Sequence, residues 1–294
     1  MSDTLEAMRH RIGKVQELGD VVRTMKALAA SNITQFERAA RSSSDYSHLI
    51  ELGLSVCLAA ETTGPPASEI RNQSKAVGVV VFGSDQGLVG MFNESIASFV
   101  VDEIKSEKIK VWAVGQRAGS CLEDRGLQIA KTFSVPSSIS AISALVGRIV
   151  EEIEAALSID EIGQVSLVHN MPVPDAAYEP YRRRILPFDQ EWRKAISELK
   201  WPTKIVPQRI DPDGMTLAAL IREYLFVSLF RTCAESLAGE NKSRVLTMQA
   251  AQKNIGDLLE DLNRSFHRMR QESIDEELFD VMFGFEALRK KLVS

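Results

Sequence analysis

Proline is missing from both ends of this 294-residue sequence. All ten prolines lie between Pro65 and Pro212, so the first 64 and the last 82 residues contain none. Because proline removes a backbone donor and clashes with the preceding helical turn, its absence permits very long helices at both ends.

Other absences exclude whole classes of protein. Three scattered cysteines (Cys57, Cys121 and Cys233) argue against a disulfide framework or a zinc site and for a reducing compartment. With 35 basic against 40 acidic residues and no basic block, nucleic acid is not the expected main partner. No run of about 20 apolar residues is present, so we expect no membrane span. The acidic start, Met1–Glu6, does not resemble a targeting leader.

Apolar residues recur at heptad-like spacing in both proline-free ends. A helix this long cannot bury a narrow apolar stripe alone, and its simplest partner is the other end of the same chain, packed antiparallel. The amino-terminal stripe is Leu5, Met8, Ile12, Val15, Val22, Ala29, Ile33, Phe36 and Ala40. The carboxyl-terminal stripe is Val245, Met248, Ile255, Leu259, Leu262, Phe266 and Met269, resuming after a phase shift as Ile274, Leu278, Val281, Phe285, Leu288 and Leu292.

This seam is interrupted by glycine and polar residues. Glycine weakens a helix interior, so these positions indicate either close helix approach or a rod whose surface is contacted on all sides by another protein. The interrupting residues are Gly13, Gly19, Lys26, Gly239, Gln252, Gly256 and Glu276.

The middle of the chain alternates between strand and helix patterns. The continuous apolar run Ala76–Phe82 predicts a strand covered on both faces, and Asn93 is placed to cap the next helix. Further strands are expected at Ile109–Val114 and Val165–His169, with helices at Gly115–Arg125 and 142–157. The predicted fold is therefore a parallel, Rossmann-like α/β domain between two long helices. The expected boundaries are 1–62, 63–212 and 213–294.

Catalytic motifs are weak throughout. The loop Gly83–Gly90 follows a strand but matches neither common phosphate-binding spacing and has no lysine, so a tight turn is the simpler interpretation. The four histidines are scattered, no nucleophile motif is present, and we expect no metal and no cofactor. Arg182–Arg184 reads as an exposed strand edge sooner than as an anion site, and the acidic cluster Asp275–Asp280 as a solvated helix face.

Three blocks resemble the gamma subunit of F-type ATP synthases. Arg11–Ala30 is similar to the family's amino-terminal helix pattern, and Ser84–Asn93 to its S-D-R-G-L-C-G turn. The carboxyl-terminal block follows the family's spacing E-x-x-x-R-x-x-A-M-x-x-A-T-x-N…R-Q-x-x-I-T-x-E-L. Its matching residues are Glu240, Asn241, Arg244, Met248, Ala251, Asn254, Leu262, Arg270, Gln271, Ile274, Glu277 and Leu278.

The resemblance implies a central-stalk rotor and not a catalyst. Its expected partners are the alpha and beta subunits of the catalytic hexamer, the epsilon subunit and the membrane c ring. It implies a peripheral position on the cytoplasmic face of a bacterial inner membrane, where ion transport is coupled to ATP synthesis or hydrolysis. The matching positions imply hexamer contacts at Met25, Arg244, Arg270, Gln271 and Asp275. They also imply a foot residue at Asp211 and a turn built on Ser84, Asp85, Gly87 and Gly90.

The sequence also departs from the family pattern. Family K-I-T becomes Asp20–Val22, the turn's arginine and cysteine become Gln86 and Val89, and the threonine after R-Q-x-x-I becomes Asp275. These changes and the acidic balance indicate a divergent gamma subunit, as in an alternative sodium-translocating F-type ATPase. Two other hypotheses stay open: a nucleotide-binding α/β enzyme with helical oligomerisation arms, and a static coiled-coil scaffold.

Overall fold

The computed structural model describes residues 2–59, 75–104, 108–188, 190–199, 201–203, 205 and 215–292. These residues divide into two compact units. Residues 1–28 and 245–294 form the helical unit, and residues 29–244 form the α/β unit. Helix α1 (Ser2–Ala59) and the last helix, α6 (Met215–Leu292), each contribute to both units.

The α/β unit is built on a five-stranded sheet in the order β3-β2-β1-β4-β5. The first four strands are parallel, and β5 runs antiparallel to β4 at one edge. The predicted fold class, a Rossmann-like α/β domain with long terminal helices, is confirmed. The elements between α1 and α6 are β1 (Ala76–Phe82), α2 (Phe92–Glu103), β2 (Ile109–Val114), α3 (Gln116–Glu123), β3 (Ile129–Phe133), α4 (Ile139–Ser158), β4 (Ile162–Met171), β5 (Glu179–Leu186) and α5 (Gln190–Ser197).

Apolar side chains cover both faces of this sheet. Successive residues of a strand point to opposite faces, so β1 supplies Val80 to one core and Val79 and Val81 to the other. The first core is completed by α4 and by the parts of α1 and α6 that belong to this unit. The second core is completed by α2 and α3. Burial on both faces explains why the β1 sequence is apolar at every position.

Several local expectations were wrong. Met91, not Asn93, is the cap of α2, because Asn93 is already helical and its side chain bonds the preceding turn. Strand β3 and helix α5 were not predicted, and of β5 only the exposed strand edge at Arg182–Arg184 was, without its bounds. Strand β3 buries only Phe133 completely, and the arginine-rich β5 is an edge strand, so neither carries a strong apolar signal.

The helical unit pairs α1 and α6 in antiparallel order. Lys26 Nζ donates to Gln252 Oε1 at 2.8 Å, and a Cβ built on Gly19 would lie 3.4 Å from Ile255 Cγ2. Leu5 shares a cavity wall with Phe266. Residue numbers therefore rise along α6 as they fall along α1, as expected for an antiparallel pair. Within this seam Val22, Met248 and Leu262 are buried.

The stripe predicted after the phase shift does not pack within this unit. Ile274, Leu278 and Val281 are 53%, 59% and 69% exposed. The physical reason is that this stretch of α6 presents Glu276, Glu277 and Asp280 to the groove that it shares with α1, while its apolar side chains stay exposed. The side chains of Phe285, Leu288 and Leu292 lie outside the described residues.

Close approach explains one of the four glycines, Gly239, where a Cβ would lie 2.8 Å from the carbonyl oxygen of Asn170 on β4. At Gly19 a Cβ would lie 3.4 Å from Ile255 Cγ2, which is ordinary contact and does not require glycine. A Cβ on Gly13 or Gly256 would meet no described atom within 4 Å.

Candidate functional site

The turn after β1 is held by hydrogen bonds between its own residues and the side chain of Asn93. Ser84 N donates to Asn93 Oδ1 at 2.9 Å, and Asn93 Nδ2 donates to Ser84 Oγ at 2.8 Å. Ser84 Oγ then donates to the carbonyl oxygen of Gln86 at 2.8 Å. Asn93 therefore serves the turn and not the helix terminus, and both Ser84 and Asn93 are buried.

Asp85 links this turn to two neighbouring segments. Its Oδ1 accepts from Gln116 N, the first residue of α3, and its Oδ2 accepts from Val135 N, both at 2.9 Å. Gly115 lets the turn approach, since it has φ +111° and a Cβ there would lie 2.7 Å from the carbonyl oxygen of Ser84. The loop amide Ser84 N is already bonded to Asn93 Oδ1, so this N–H of the Gly83–Gly90 loop is not available to a phosphate.

The α/β part of helix α6 lies against the same turn. Ser243 Oγ donates to the carbonyl oxygen of Val89 at 2.6 Å. Asn170 Nδ2, on β4, donates to the carbonyl oxygen of Phe92 at 2.8 Å, and Gly239 packs on the backbone of Asn170. The turn, the end of β4 and this stretch of α6 thus form one connected polar assembly, which we call the turn–helix junction.

A buried ion pair lies at this junction. Arg244 Nη2 contacts Glu240 Oε1 at 2.6 Å, and the two side chains are 16% and 8% exposed. Burial raises the pKa of Glu240 above its usual range; the charge and hydrogen bond of Arg244 oppose that rise, and the charge of Asp85 adds to it. Asp85, Glu240, Asn241 and Arg244 line one cavity of about 190 Å³.

A second carboxylate–arginine pair lies one and a half turns earlier on α6. Arg231 Nε donates to Glu235 Oε1 at 2.8 Å, and the buried His169 Nε2 lies 3.0 Å from Glu235 Oε2. Burial works to raise the pKa of Glu235, but the hydrogen bonds and charges of His169 and Arg231 outweigh it and the pKa is lowered. This cluster fastens α6 to β4.

The helical unit carries a groove of about 960 Å³ between its two helices. Arg270 and Arg9 line it together with the carboxylates Glu276, Glu277 and Asp280. Outside the groove, large apolar side chains of α6 are exposed, among them Leu278, Phe279 and Phe283 at 59%, 54% and 67%. A helix that exposes such residues in series is typical of a surface that contacts another protein.

The described residues contain no group of three or more histidine, cysteine, aspartate or glutamate side chains arranged to hold a metal ion. None of the helices within these residues is long and apolar enough to cross a bilayer.

Comparison with known proteins identifies the family. The family model described as "ATP synthase" matches residues 4–288. The ATP synthase gamma chain of Granulibacter bethesdensis is 27% identical, over 97% of this chain and 99% of the relative. That of Clostridium botulinum strain Hall is 30% identical, over 71% and 72%. This chain belongs to the ATP synthase gamma-chain family.

The fold of solved ATP synthase chains agrees with this assignment. A chain from the rotor of the Euglena gracilis mitochondrial ATP synthase superposes with a TM-score of 0.64 at 16% identity, covering 93% of this chain and 100% of that one. The resemblance to gamma subunits drawn from the three sequence blocks is therefore confirmed.

The sequence-predicted site residues of this gamma-family chain lie in two groups. Ser84 and Asp85 belong to the turn–helix junction, Arg244 lines the same cavity as Asp85, and Gly87 and Gly90 are exposed in the turn. In the helical unit Arg270, Gln271 and Asp275 are exposed and Met25 is half-buried. Asp211 lies outside the described residues.

Sequence reasoning overlooked the polar residues that build the junction. Glu240 and Asn241 were matched to the family pattern without a structural role, and Ser243 and the His169–Glu235 pair were not singled out. One signal for them is present in the sequence: Glu240 and Asn241 are adjacent polar residues in the predicted last helix. Buried glutamate and asparagine side chains normally have polar partners, so this pair indicates a polar contact.

Proposed function

We propose that this chain is the central-stalk rotor subunit of an F-type ATP synthase and has no catalytic site of its own. The observation that carries the proposal is the family match over nearly the whole chain, together with the antiparallel helical unit that such a shaft requires. In this role the chain passes torque between a membrane c ring and a hexamer of alpha and beta subunits, with the epsilon subunit beside it. The complex would couple ion transport to ATP synthesis or hydrolysis.

The helical unit is suited to transmitting torque. Its two helices share a seam and are joined across it by Lys26 and Gln252, so a twisting force on one helix is resisted by both. The available energy is substantial, since each charge that crosses the membrane supplies about 2.3 kcal/mol per 100 mV. The exposed apolar and charged residues on α6 make the surface of this unit uneven, as a shaft that distinguishes successive catalytic subunits requires.

We assign the hexamer contacts to Met25, Arg244, Arg270, Gln271 and Asp275. Exposure of Arg270, Gln271 and Asp275 supports this assignment, since each can reach a partner without rearrangement. Arg244 differs, because its guanidinium already contacts Glu240 and only its remaining donors can bind a partner carboxylate. The turn residues Ser84, Asp85, Gly87 and Gly90 belong to the α/β unit, and we place Asp211 on the foot, toward the c ring.

The membrane side of the assignment follows from the rotor role. We place the chain on the cytoplasmic face of a bacterial inner membrane, as a peripheral subunit. Functionally we divide it into a first helix (1–62), a foot (63–212) and a last helix (213–294). The acidic Asp275 would need a beta subunit without a carboxylate opposite it, and the alpha and beta partners of this chain would differ there accordingly.

The direct test is assembly. We expect the chain, coexpressed with the alpha and beta subunits from its own genome, to copurify at one copy per hexamer and to support ATP-driven rotation of a bead fixed to residues 63–212. An Arg270→Gln variant should still assemble but turn with reduced torque, whereas Arg268→Gln, a neighbouring exposed arginine, should leave torque unchanged. Recovery without alpha and beta chains would overturn the proposal.

The two alternative hypotheses predict different results, one in an ATP-binding measurement and the other in the oligomeric state of the isolated chain. A nucleotide-binding enzyme requires micromolar ATP binding by the isolated chain, and the loop amide Ser84 N, already bonded to Asn93, would not be free to bind the phosphates. A static scaffold requires a monodisperse homodimer that does not change when alpha and beta subunits are added, and sedimentation of the mixture distinguishes it from a rotor subunit.

A further inference from the structure

Glu240 and Arg244 face each other on one side of helix α6. They are four residues apart, which is the spacing at which helical side chains meet. Arg244 Nη2 donates to Glu240 Oε1 at 2.6 Å, and both side chains are largely buried. Among the described residues, Nη2 is the only nitrogen of this guanidinium that has an acceptor. The N–H groups on its other nitrogens can therefore donate to an acceptor from another chain.

The stretch of α6 that carries Glu240 is fixed to the α/β unit on both sides of this residue. Just before it, Gly239 packs on the backbone of Asn170, where a Cβ would lie 2.8 Å from the carbonyl oxygen. Just after it, Ser243 Oγ donates to the carbonyl oxygen of Val89 at 2.6 Å. Glu240 itself is buried. Because its carboxylate has a fixed place, a guanidinium bonded to it is held in place as well.

Glu240 and not Asp85 is the carboxylate that orients Arg244. Asp85 lines the same cavity, but its two oxygens accept the backbone N–H groups of Gln116 and Val135. Burial raises the pKa of Glu240, and the charge and hydrogen bond of Arg244 act against that rise. The ionised carboxylate and the fixed guanidinium therefore stabilise each other.

Fixing the guanidinium in advance has a consequence for binding. A free arginine side chain has many rotamers, and restricting them when two proteins associate costs free energy. We propose that Glu240 is a positioning residue, which keeps the Arg244 guanidinium in one orientation so that its remaining N–H groups can bind a carboxylate of the catalytic hexamer. This inference rests on the proposed function, in which Arg244 is a hexamer contact. Glu240 does not touch the partner and acts only through Arg244.

The affinity of the full chain for the alpha and beta subunits from its own genome tests the proposal. Glu240→Gln keeps the size of the side chain and removes its charge. We expect it to weaken binding by about three- to tenfold, because the partner must then order the arginine. Glu235→Gln is the matched control, since Glu235 is also a largely buried glutamate that contacts an arginine, Arg231, four residues away on α6. The control should leave the affinity unchanged.

A double-mutant cycle separates positioning from general support of the fold. Arg244→Gln should weaken binding by itself, and adding Glu240→Gln should weaken it no further, because Glu240 acts through Arg244. An equal effect of Glu240→Gln with and without Arg244 would overturn the proposal. Thermal melts show whether each variant is folded. If Arg244→Gln unfolds, Arg244→Lys replaces it in the cycle with the same expectation, since lysine keeps the charge and lacks the planar fork.

Failure of this inference and failure of the proposed function give different results. If the parent chain does not bind the alpha and beta subunits, the proposed function is wrong and the inference is wrong with it. If the parent chain binds and Glu240→Gln binds equally well, only the positioning role of Glu240 is wrong.

Discussion

The two units of this chain reach stability by different routes. In the α/β unit, complete burial is common: Val79, Val80, Trp112 and Leu167 are 0% exposed, on strands covered from both sides. In the helical unit, the described side chains that are buried are Val22, Met248 and Leu262. The first unit has a dry core of its own, whereas the second has a narrow seam with a polar contact, Lys26–Gln252, inside it.

The exposed apolar residues show the same difference. Along the helical unit Leu18, Val21 and Leu246 are 53%, 54% and 54% exposed, and the series continues to Phe283. A sequence that only had to keep two helices together would place polar residues at those positions. The comparison teaches that the α/β unit has a core of its own and exposes apolar side chains such as Leu49 and Ile159 at scattered positions, while the helical unit has a narrow seam and exposes apolar side chains in series along α6.

The largest effect is expected from emptying the core of the α/β unit. Trp112→Ala removes a fully buried side chain from a central strand and should lower the free energy of unfolding of that unit by about 3–5 kcal/mol. Leu262→Ala in the helical unit should cost less, about 2 kcal/mol, because its seam can close around the gap. Hydrogen exchange resolves the two units separately. Equal losses in both would contradict the comparison.

Two glycines on the same helix should respond in opposite directions. Gly239→Ala in the α/β unit forces a Cβ to 2.8 Å from the Asn170 carbonyl and should cost about 1–3 kcal/mol in the free energy of unfolding. Gly256→Ala in the helical unit meets open space and should instead stabilise by about 0.5–1 kcal/mol. Thermal melts of both variants against the parent chain check the signs. Stabilisation by Gly239→Ala would show that α6 does not approach β4 so closely.

The Glu235 cluster gives a pH-dependent effect of moderate size. Its lowered pKa means that the ionised carboxylate stabilises the fold above the ordinary glutamate range, and that this contribution is lost as pH falls through the lowered value. Glu235→Gln should therefore cost about 1–2 kcal/mol at pH 7, with the difference shrinking below about pH 4.

Urea unfolding of the parent and Glu235→Gln chains between pH 7 and about pH 4 measures the gap, which is the difference in their free energies of unfolding. Asp261→Asn, at an exposed carboxylate on the same helix, is the control and should show a small gap at every pH. A gap for Glu235→Gln that grows toward acid pH would contradict the sign of the shift.

Much of the fold could be predicted from the sequence because its signals are periodic. The run Ala76–Phe82 and the strand Ile109–Val114 have the predicted bounds, since continuous burial leaves a continuous apolar pattern. The bounds of strand β5 could not be predicted, although Arg182–Arg184 was interpreted as an exposed strand edge, because an edge strand with Pro180 and three arginines has no continuous apolar pattern. The phase-shifted stripe misled for the opposite reason, because apolar residues at helical spacing indicate contact but do not say whether the contact lies within the chain.

Some functional residues could likewise be predicted from a local sequence pattern, whereas the contacts between them could not. Asp85 and Arg244 were found through the family pattern, yet their shared cavity with Glu240 and Asn241 depends on distant segments that meet only in the folded chain. Local spacing carries no information about such a meeting. The turn Ser84–Asn93 shows this clearly, since Asn93 has the residue type of a helix cap but bonds backward to Ser84.

The smallest effect on stability is expected from the exposed apolar side chains of α6 in the helical unit, which we propose to contact the partner subunits. A triple variant, Ile274→Gln with Leu278→Gln and Val281→Gln, alters side chains that are more than half exposed, so the isolated chain should change by no more than about 0.5 kcal/mol per site in its free energy of unfolding. The same variant should bind alpha and beta subunits at least tenfold more weakly, because apolar area is lost from the contact. Lys253→Gln, an exposed polar position on α6, is the control for binding. Normal binding by the triple variant would mean that this face is not a partner surface, and a large loss of stability in the isolated chain would mean that it packs within the chain.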